Sequence, residues 1–108
     1  MPRYMVQFSY TQQAWAALTR NPEDRTKVIA DLAESMGGRM VSLDYCMGDY
    51  DGVVIAELPD DTAVAAVVMT VMNAGHLRVT KTTKLMSAQE MMESLKKAGG
   101  VSFAVPRG

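Results

Sequence analysis

Apolar and polar residues alternate from Tyr4 to Tyr10, with Tyr4, Val6, Phe8 and Tyr10 pointing one way and Met5, Gln7 and Ser9 the other. That period of two predicts a strand. A short helix opened by Thr11 follows, carrying Trp15 and Leu18 about one turn apart. Asn21-Pro22 predicts a further helix start, with Asn as the cap, Pro in the first position and Asp24 near the positive end of the dipole. Val28, Ile29, Leu32 and Met36 form its apolar stripe, and Gly37-Gly38 ends it. Met40 to Met47 alternates again, with Val41, Leu43, Tyr45 and Met47 on one side. After the turn Gly48-Asp49-Tyr50-Asp51-Gly52, Val53 to Leu58 is apolar nearly throughout, as a central strand covered on both faces requires. Pro59 and Asp60-Asp61 stop it and open a helix with the stripe Val64, Val67, Val68, Val71 and Met72, closed by Gly75. Leu77 to Met86 is rich in β-branched residues and reads as the last strand. Ser87-Ala88-Gln89-Glu90 is a capping box, so a third long helix runs to about Lys97.

Strand, helix, strand, strand, helix, strand is the split βαβ arrangement. It predicts an α+β ferredoxin-like βαββαβ sandwich with an extra C-terminal helix. The sheet is expected to be antiparallel with order 4-1-3-2, its two middle strands, the first and third, parallel to each other. Both helices would cover one face. Residues 1–98 read as one domain, and residues 99–108 as a tail, either an added edge strand or disordered. The other sheet face would need a second copy of the chain, since leaving its apolar groups in water costs about 25 cal/mol per Å². A homodimer of the dimeric α+β barrel kind is the default on symmetry grounds.

Composition changes this picture little but narrows the chemistry. The chain has 108 residues and a formal net charge of −1, with 11 basic and 12 acidic residues. No positive field for a nucleic-acid backbone is expected from that balance. The only cysteine, Cys46, cannot form an internal disulfide, and no Cys/His cluster suggests a metal or another cofactor. Met1-Pro2-Arg3-Tyr4 leads into a strand without a signal-peptide core, and no apolar run approaches the roughly 20 residues that span a bilayer. A cytoplasmic protein without membrane contact is the expectation.

The turn and several flanking segments resemble the GYD domain family. The matching pieces are Gly48-Asp49-Tyr50-Asp51, the opening Phe8-Ser9-Tyr10-Thr11, the helix end Glu34-Ser35-Met36-Gly37-Gly38, Pro59-Asp60-Asp61 and the strand Arg78-Val79-Thr80-Lys81-Thr82-Thr83. Together they cover roughly residues 3 to 90. Val79 and Lys81 interrupt the usual threonine run of that strand. The resemblance implies a small ferredoxin-like domain of unsettled function and supplies no mechanism.

Four sets of residues carry candidate chemistry. Asp49-Tyr50-Asp51 places a phenol between two carboxylates, a pattern suited to acid–base work or cation binding. The competing reading is a hairpin turn with Gly48 in an unusual conformation and Tyr50 packed on the neighbouring strand. Cys46 and His76 would make a thiolate–imidazole pair, but the topology is expected to put them at opposite ends of the sheet. The polar face is a better candidate: Gln7, Ser9, Asp44, Arg78, Thr80 and Thr82 would line it and hold a small polar or anionic ligand, sealed by a second subunit. Lys84 would share that face, while Val41 and Val79 would point to the helices. Met36, Met40, Met47, Met69, Met72, Met86, Met91 and Met92 read as flexible filler of core and interface.

The function expected is therefore a homo-oligomeric small-molecule-binding domain without a cofactor of its own. A cofactor-independent enzyme acting on an apolar or aromatic metabolite, with Tyr10, Asp44 and Arg78 as the residues to test, stays open beside it. So does a purely structural assembly subunit.

Overall fold

In the computed structural model, which describes residues 1–107, the chain runs β1 (Arg3–Tyr10), α1 (Gln12–Arg20), α2 (Thr26–Ser35), β2 (Arg39–Tyr45), β3 (Gly52–Glu57), α3 (Asp61–Asn73), β4 (Leu77–Leu85) and α4 (Ala88–Gly99). Three helices start where a side chain can satisfy an orphan amide. Thr11, Asp60 and Ser87 accept from the amides of Ala14, Ala63 and Glu90, and Glu90 completes the expected capping box. The start of α2 differs from the expectation. Asn21 closes α1, its amide donating to the Ala17 carbonyl, and a residue preceding proline is disfavoured from helical dihedrals. The chain turns helical only at Thr26, whose amide and hydroxyl both donate to Asp24. Gly37 and Gly75 end α2 and α3 with φ of 83° and 79°, values that favour glycine. Gly48 lacks such a conformation.

The four strands form one sheet of order β2-β3-β1-β4, the expected 4-1-3-2 read from the opposite edge. Every neighbouring pair is antiparallel, including β1 with β3. The parallel middle pair expected from the sequence is thus corrected. The helical crossover returns β2 in the direction of β1, and the hairpin then reverses β3.

Two register shifts decide which side chains share a face. Residues directly opposite across a ladder lie on the same side of the sheet. On β2 the register slips between Met40 and Ser42, so Val41 is the extra residue. Met40 and Leu43 therefore both reach the core, while Val41 is exposed. On β4 the shift falls opposite Ser9/Tyr10. Beyond it Thr80, Thr82 and Lys84 pair with Phe8, Val6 and Tyr4 on the helix side, and Val79 pairs with Ser9 on the open side. The expected faces of Val79, Thr80, Thr82 and Lys84 are reversed by one residue of bulge.

Tyr4, Phe8, Val54, Ala56, Leu58 and Val64 form the buried cluster, with Val6, Tyr10, Ile29, Met36, Met40, Leu43, Ala63, Val67 and Leu77 packed around it. Val28, assigned to the stripe of α2, is exposed. Helix α2 lies along β2 and α3 along β4, leaving a crevice above the two central strands. The opposite sheet face carries Met5, Val53, Ile55, Val79 and Leu85, half-buried, with Glu57 between Arg3 and Arg39 at one end. Helix α4 has no buried residue, and Met91, Met92 and Leu95 are all exposed. The radius of gyration is 17.8 Å, against about 13 Å for a compact chain of this length. Val101 to Arg107 have no regular secondary structure; Gly108, the last residue of the expected tail, lies outside the described residues. No helix among the described residues is long and apolar enough to cross a membrane.

Candidate functional site

The crevice between α2, α3 and the sheet encloses a cavity of about 120 Å³. Its walls come from every core element: Phe8, Val54 and Ala56 from the sheet floor, Ile29 and Leu32 from α2, Val68 from α3. The valine-rich stripe of α3 and the small Ala56 explain the gap. Short side chains on both sides of a helix–sheet interface do not meet.

At the closed end Tyr4 is buried and its hydroxyl donates to Asp61 at 2.6 Å, while Lys84 reaches the same carboxylate oxygen at 3.1 Å. The hydrogen bond to Asp61, followed by burial, pushes the Tyr4 phenol up to about 12. The same contacts from Tyr4 and Lys84 hold the Asp61 carboxyl below its usual range.

The open end is polar. Tyr10, Tyr45, Arg25 and His76 line it. The hydroxyls of Tyr10 and Tyr45 are 3.1 Å apart and their rings stack at 6.4 Å. Both tyrosines end strands that run the same way, so both reach the same rim. Burial, then the Tyr45 hydrogen bond, raises the Tyr10 pKa well above the phenol range, with Arg25 pulling weakly the other way. Tyr10 is therefore a protonated hydroxyl at neutral pH. A wider polar basin lies outside this rim, sharing Tyr10, Arg25 and His76 with the cavity and adding Arg20 and Glu23.

Tyr10 is held from behind by the turn after β2. The β1–β3 ladder ends at Phe8 opposite Gly52, which leaves the Tyr10 amide beyond it. Asp51 Oδ2 accepts it at 2.9 Å and also accepts the Trp15 indole N–H at 3.2 Å. Trp15 then meets Tyr10 edge-on at 5.2 Å. The Asp51 amide donates to the Phe8 carbonyl, and the Asp51 carbonyl accepts from Cys46. The acidic end of Gly48-Asp49-Tyr50-Asp51 is thus a clamp for the rim. Asp49 is exposed and Tyr50 half-buried.

The GYD domain sequence pattern matches residues 4–95, the stretch that builds sheet, crevice and clamp. The chain belongs to the GYD domain family. This GYD domain is 27% identical over 96 residues to the glutamine synthetase and cystathionine β-lyase binding protein of Thermus thermophilus, a match covering 89% of this chain and all of that protein. Among solved structures it resembles TTHA0845, also from Thermus thermophilus, with a TM-score of 0.54 and 16% identity over 82% of this chain and 96% of that one. It also resembles the transcriptional regulator NMB0573 of Neisseria meningitidis, solved with L-methionine, with a TM-score of 0.52 and 15% identity. That match covers 81% of this chain, which spans about half (51%) of the regulator. At these identities the structures establish the ferredoxin-like α+β fold.

The six residues expected to share a binding face are spread over the GYD domain. Gln7 and Asp44 do stand on the open face, each opposite Val53. Ser9 is on that side too, but it is buried and its Oγ lacks a hydrogen-bond partner among the described residues. Arg78 is exposed at the β4 shift, and Thr80 and Thr82 face the helices. Of the trio Tyr10, Asp44 and Arg78, only Tyr10 lines the cavity.

Cys46 and His76 follow a corrected path. His76 precedes Leu77, which pairs with Tyr10, and Cys46 follows Tyr45, whose hydroxyl meets that of Tyr10. The two residues are at the same end of the sheet, on its outer strands, not at opposite ends. Three strand spacings of about 4.8 Å still put roughly 14 Å between those strands.

Of the other rim residues, Tyr45 and His76 figure in the sequence analysis only as a strand position and as the partner of Cys46, and Arg25 does not figure in it. A usable signal existed in Tyr10 and Tyr45, each closing a strand of the same direction. Arg25 and His76 lie in connections, where no periodicity marks them.

Proposed function

We propose that this GYD domain binds a small molecule with an apolar body, held in the crevice between α2, α3 and the sheet with its polar end at the tyrosine rim. The supporting observation is the apolar cavity of about 120 Å³ that opens onto Tyr10, Tyr45, Arg25 and His76. Voids of that size are unusual in a close-packed interior. At about 24 cal/mol per Å³ an empty cavity of this size costs on the order of 3 kcal/mol. An apolar cavity of about 150 Å³ is known to accept benzene, so a ring or a short branched chain sets the scale of the body.

The test is a thermal-shift and NMR titration with a neutral ring such as indole. The wild-type protein should gain several degrees at saturation, with shifts at Val54 and Val68. Val68→Phe, which fills the cavity, should melt no lower than wild type and lose the response. Indole binding unchanged in Val68→Phe would overturn the assignment.

Self-association through the open sheet face accompanies this reading. Its central strip of Met5, Val53 and Ile55 is apolar, and one row runs Asp44, Val53, Gln7, Lys81 from edge to edge. A two-fold copy packed face to face would set Asp44 against the second copy's Lys81. A second reading, docking on a larger protein, is favoured by α4. A 12-residue helix with no buried residue is marginal in water, and the Thermus relative is described as an enzyme-binding protein. Exchanging Met91 and Leu95 for serine should abolish such docking and leave indole binding intact.

A further inference from the structure

We infer that the rim selects an anion, so that the ligand is a small aromatic or branched aliphatic carboxylate; this rests on the cavity reading above. Arg25 lines both the cavity and the outer basin, and Arg20 lines the basin beside it. The one carboxylate among these basin residues, Glu23, engages Nη1 of Arg25 at 2.7 Å. A guanidinium carries five N–H donors in a planar fork, so one monodentate partner leaves it able to take a second carboxylate. Among the residues that line the cavity and the basin the charge is therefore net positive, two arginines against one glutamate; the Asp51 carboxylate, behind Tyr10, is engaged by the Tyr10 amide and the Trp15 indole.

The remaining groups fit the same ligand. The Tyr10–Tyr45 hydroxyl pair uses one of its two protons internally and has one O–H left to donate to a carboxylate oxygen. Arg25 is the cap residue of α2 and its side chain makes no capping hydrogen bond. The guanidinium is not needed to close the helix, and the positive end of that helix dipole lies at the same place. A ligand amine would meet two arginines, with the one acid already engaged. A neutral amide would receive hydrogen bonds but no charge–charge attraction. A ring held in the cavity would direct a substituent to the mouth, which Arg25 lines.

Isothermal titration of the full chain at pH 7 and fixed ionic strength, with phenylacetate, phenylacetamide and phenethylamine, tests this. Charge-assisted hydrogen bonds exceed neutral ones by about 1.4 kcal/mol, so the acid should bind about tenfold tighter than the amide, and the amine weakest. Arg25→Met should bring the acid-to-amide ratio close to one, and Arg25→Lys should restore part of it. Amide or amine binding as tightly as the acid, or an acid preference that survives Arg25→Met, would refute anion selection while leaving the cavity assignment standing. If none of the three binds, the cavity assignment falls and the inference falls with it.

Discussion

Removal of the Asp51 carboxylate should loosen the rim and the fold together. In Asp51→Ala the Tyr10 amide, beyond the end of the β1–β3 ladder, loses its 2.9 Å acceptor. Backbone bonds through the Asp51 amide and carbonyl persist, so the turn itself remains. A part-buried amide that loses a charged acceptor costs about 1.5–3 kcal/mol. The Trp15 indole bond at 3.2 Å is exposed and adds about 0.5 kcal/mol. The expected loss is about 2–3.5 kcal/mol, a large part of the 5–15 kcal/mol typical of a domain. Asp51→Asn keeps a neutral oxygen and should lose about 1 kcal/mol. Asp49→Ala, at an exposed position of the same turn, should stay within about 0.5 kcal/mol. Urea unfolding followed through Trp15, the single tryptophan, reads all three. With a slope of about 1.5 kcal/mol per molar the Asp51→Ala midpoint should drop by about 1.3–2.3 M. Equal midpoints for Asp51→Ala and Asp49→Ala would refute the clamp.

Gly52→Ala should destabilise by about 1–3 kcal/mol in thermal melts, because an added Cβ would lie 2.3 Å from the Phe8 ring; a neutral outcome would mean that ring can move. Ile55→Asp places a charge in the apolar strip of the open face and should give protomers in sedimentation equilibrium, with near-native circular dichroism. A wild-type protein already protomeric at micromolar concentration would refute association through that face. At low pH, Asp60 and Asp61, both held below the usual carboxylate range by their hydrogen bonds, take up protons more readily unfolded than folded. Stability should be full above about pH 4 and decline as the pH falls further, less steeply in Asp61→Asn. At high pH the sign reverses for Tyr4: its folded pKa of about 12 exceeds the ordinary 10.0, so its contribution is full below pH 10 and fades as the pH rises towards 12. Phenolate absorbance against pH should show that late phase, and Tyr4→Phe should remove it.

Much of the fold was legible because the signals are local. Period-two runs marked β1 and β2, a continuous apolar run marked β3, the capping box Ser87-Glu90 marked α4, and the β-strand order followed from the succession of elements. The face of β4 was not legible. One bulge opposite Ser9/Tyr10 moves Thr80, Thr82 and Lys84 to the helix side, and nothing in the composition of that strand records a register shift. The same holds for Val41 on β2. Tyr10 entered the sequence reading as a test residue and does line the site, whereas its companions there, Arg25, Tyr45 and His76, come from three other segments.

By itself, then, the sequence determined the elements, their order and three of the four helix starts, since each depends on residues within one or two turns of one another. It also determined that apolar groups would lie on both faces of β3. Only the tertiary structure decided that a cavity lies under the helices, that Asp51 holds Tyr10 in place, and that Cys46 and His76 share one end of the sheet. Those outcomes depend on strand direction and ladder register, which are set by pairing between distant segments and by the fit of short side chains across a helix–sheet gap. A one-residue slip in that pairing exchanges the two faces while leaving every local preference satisfied.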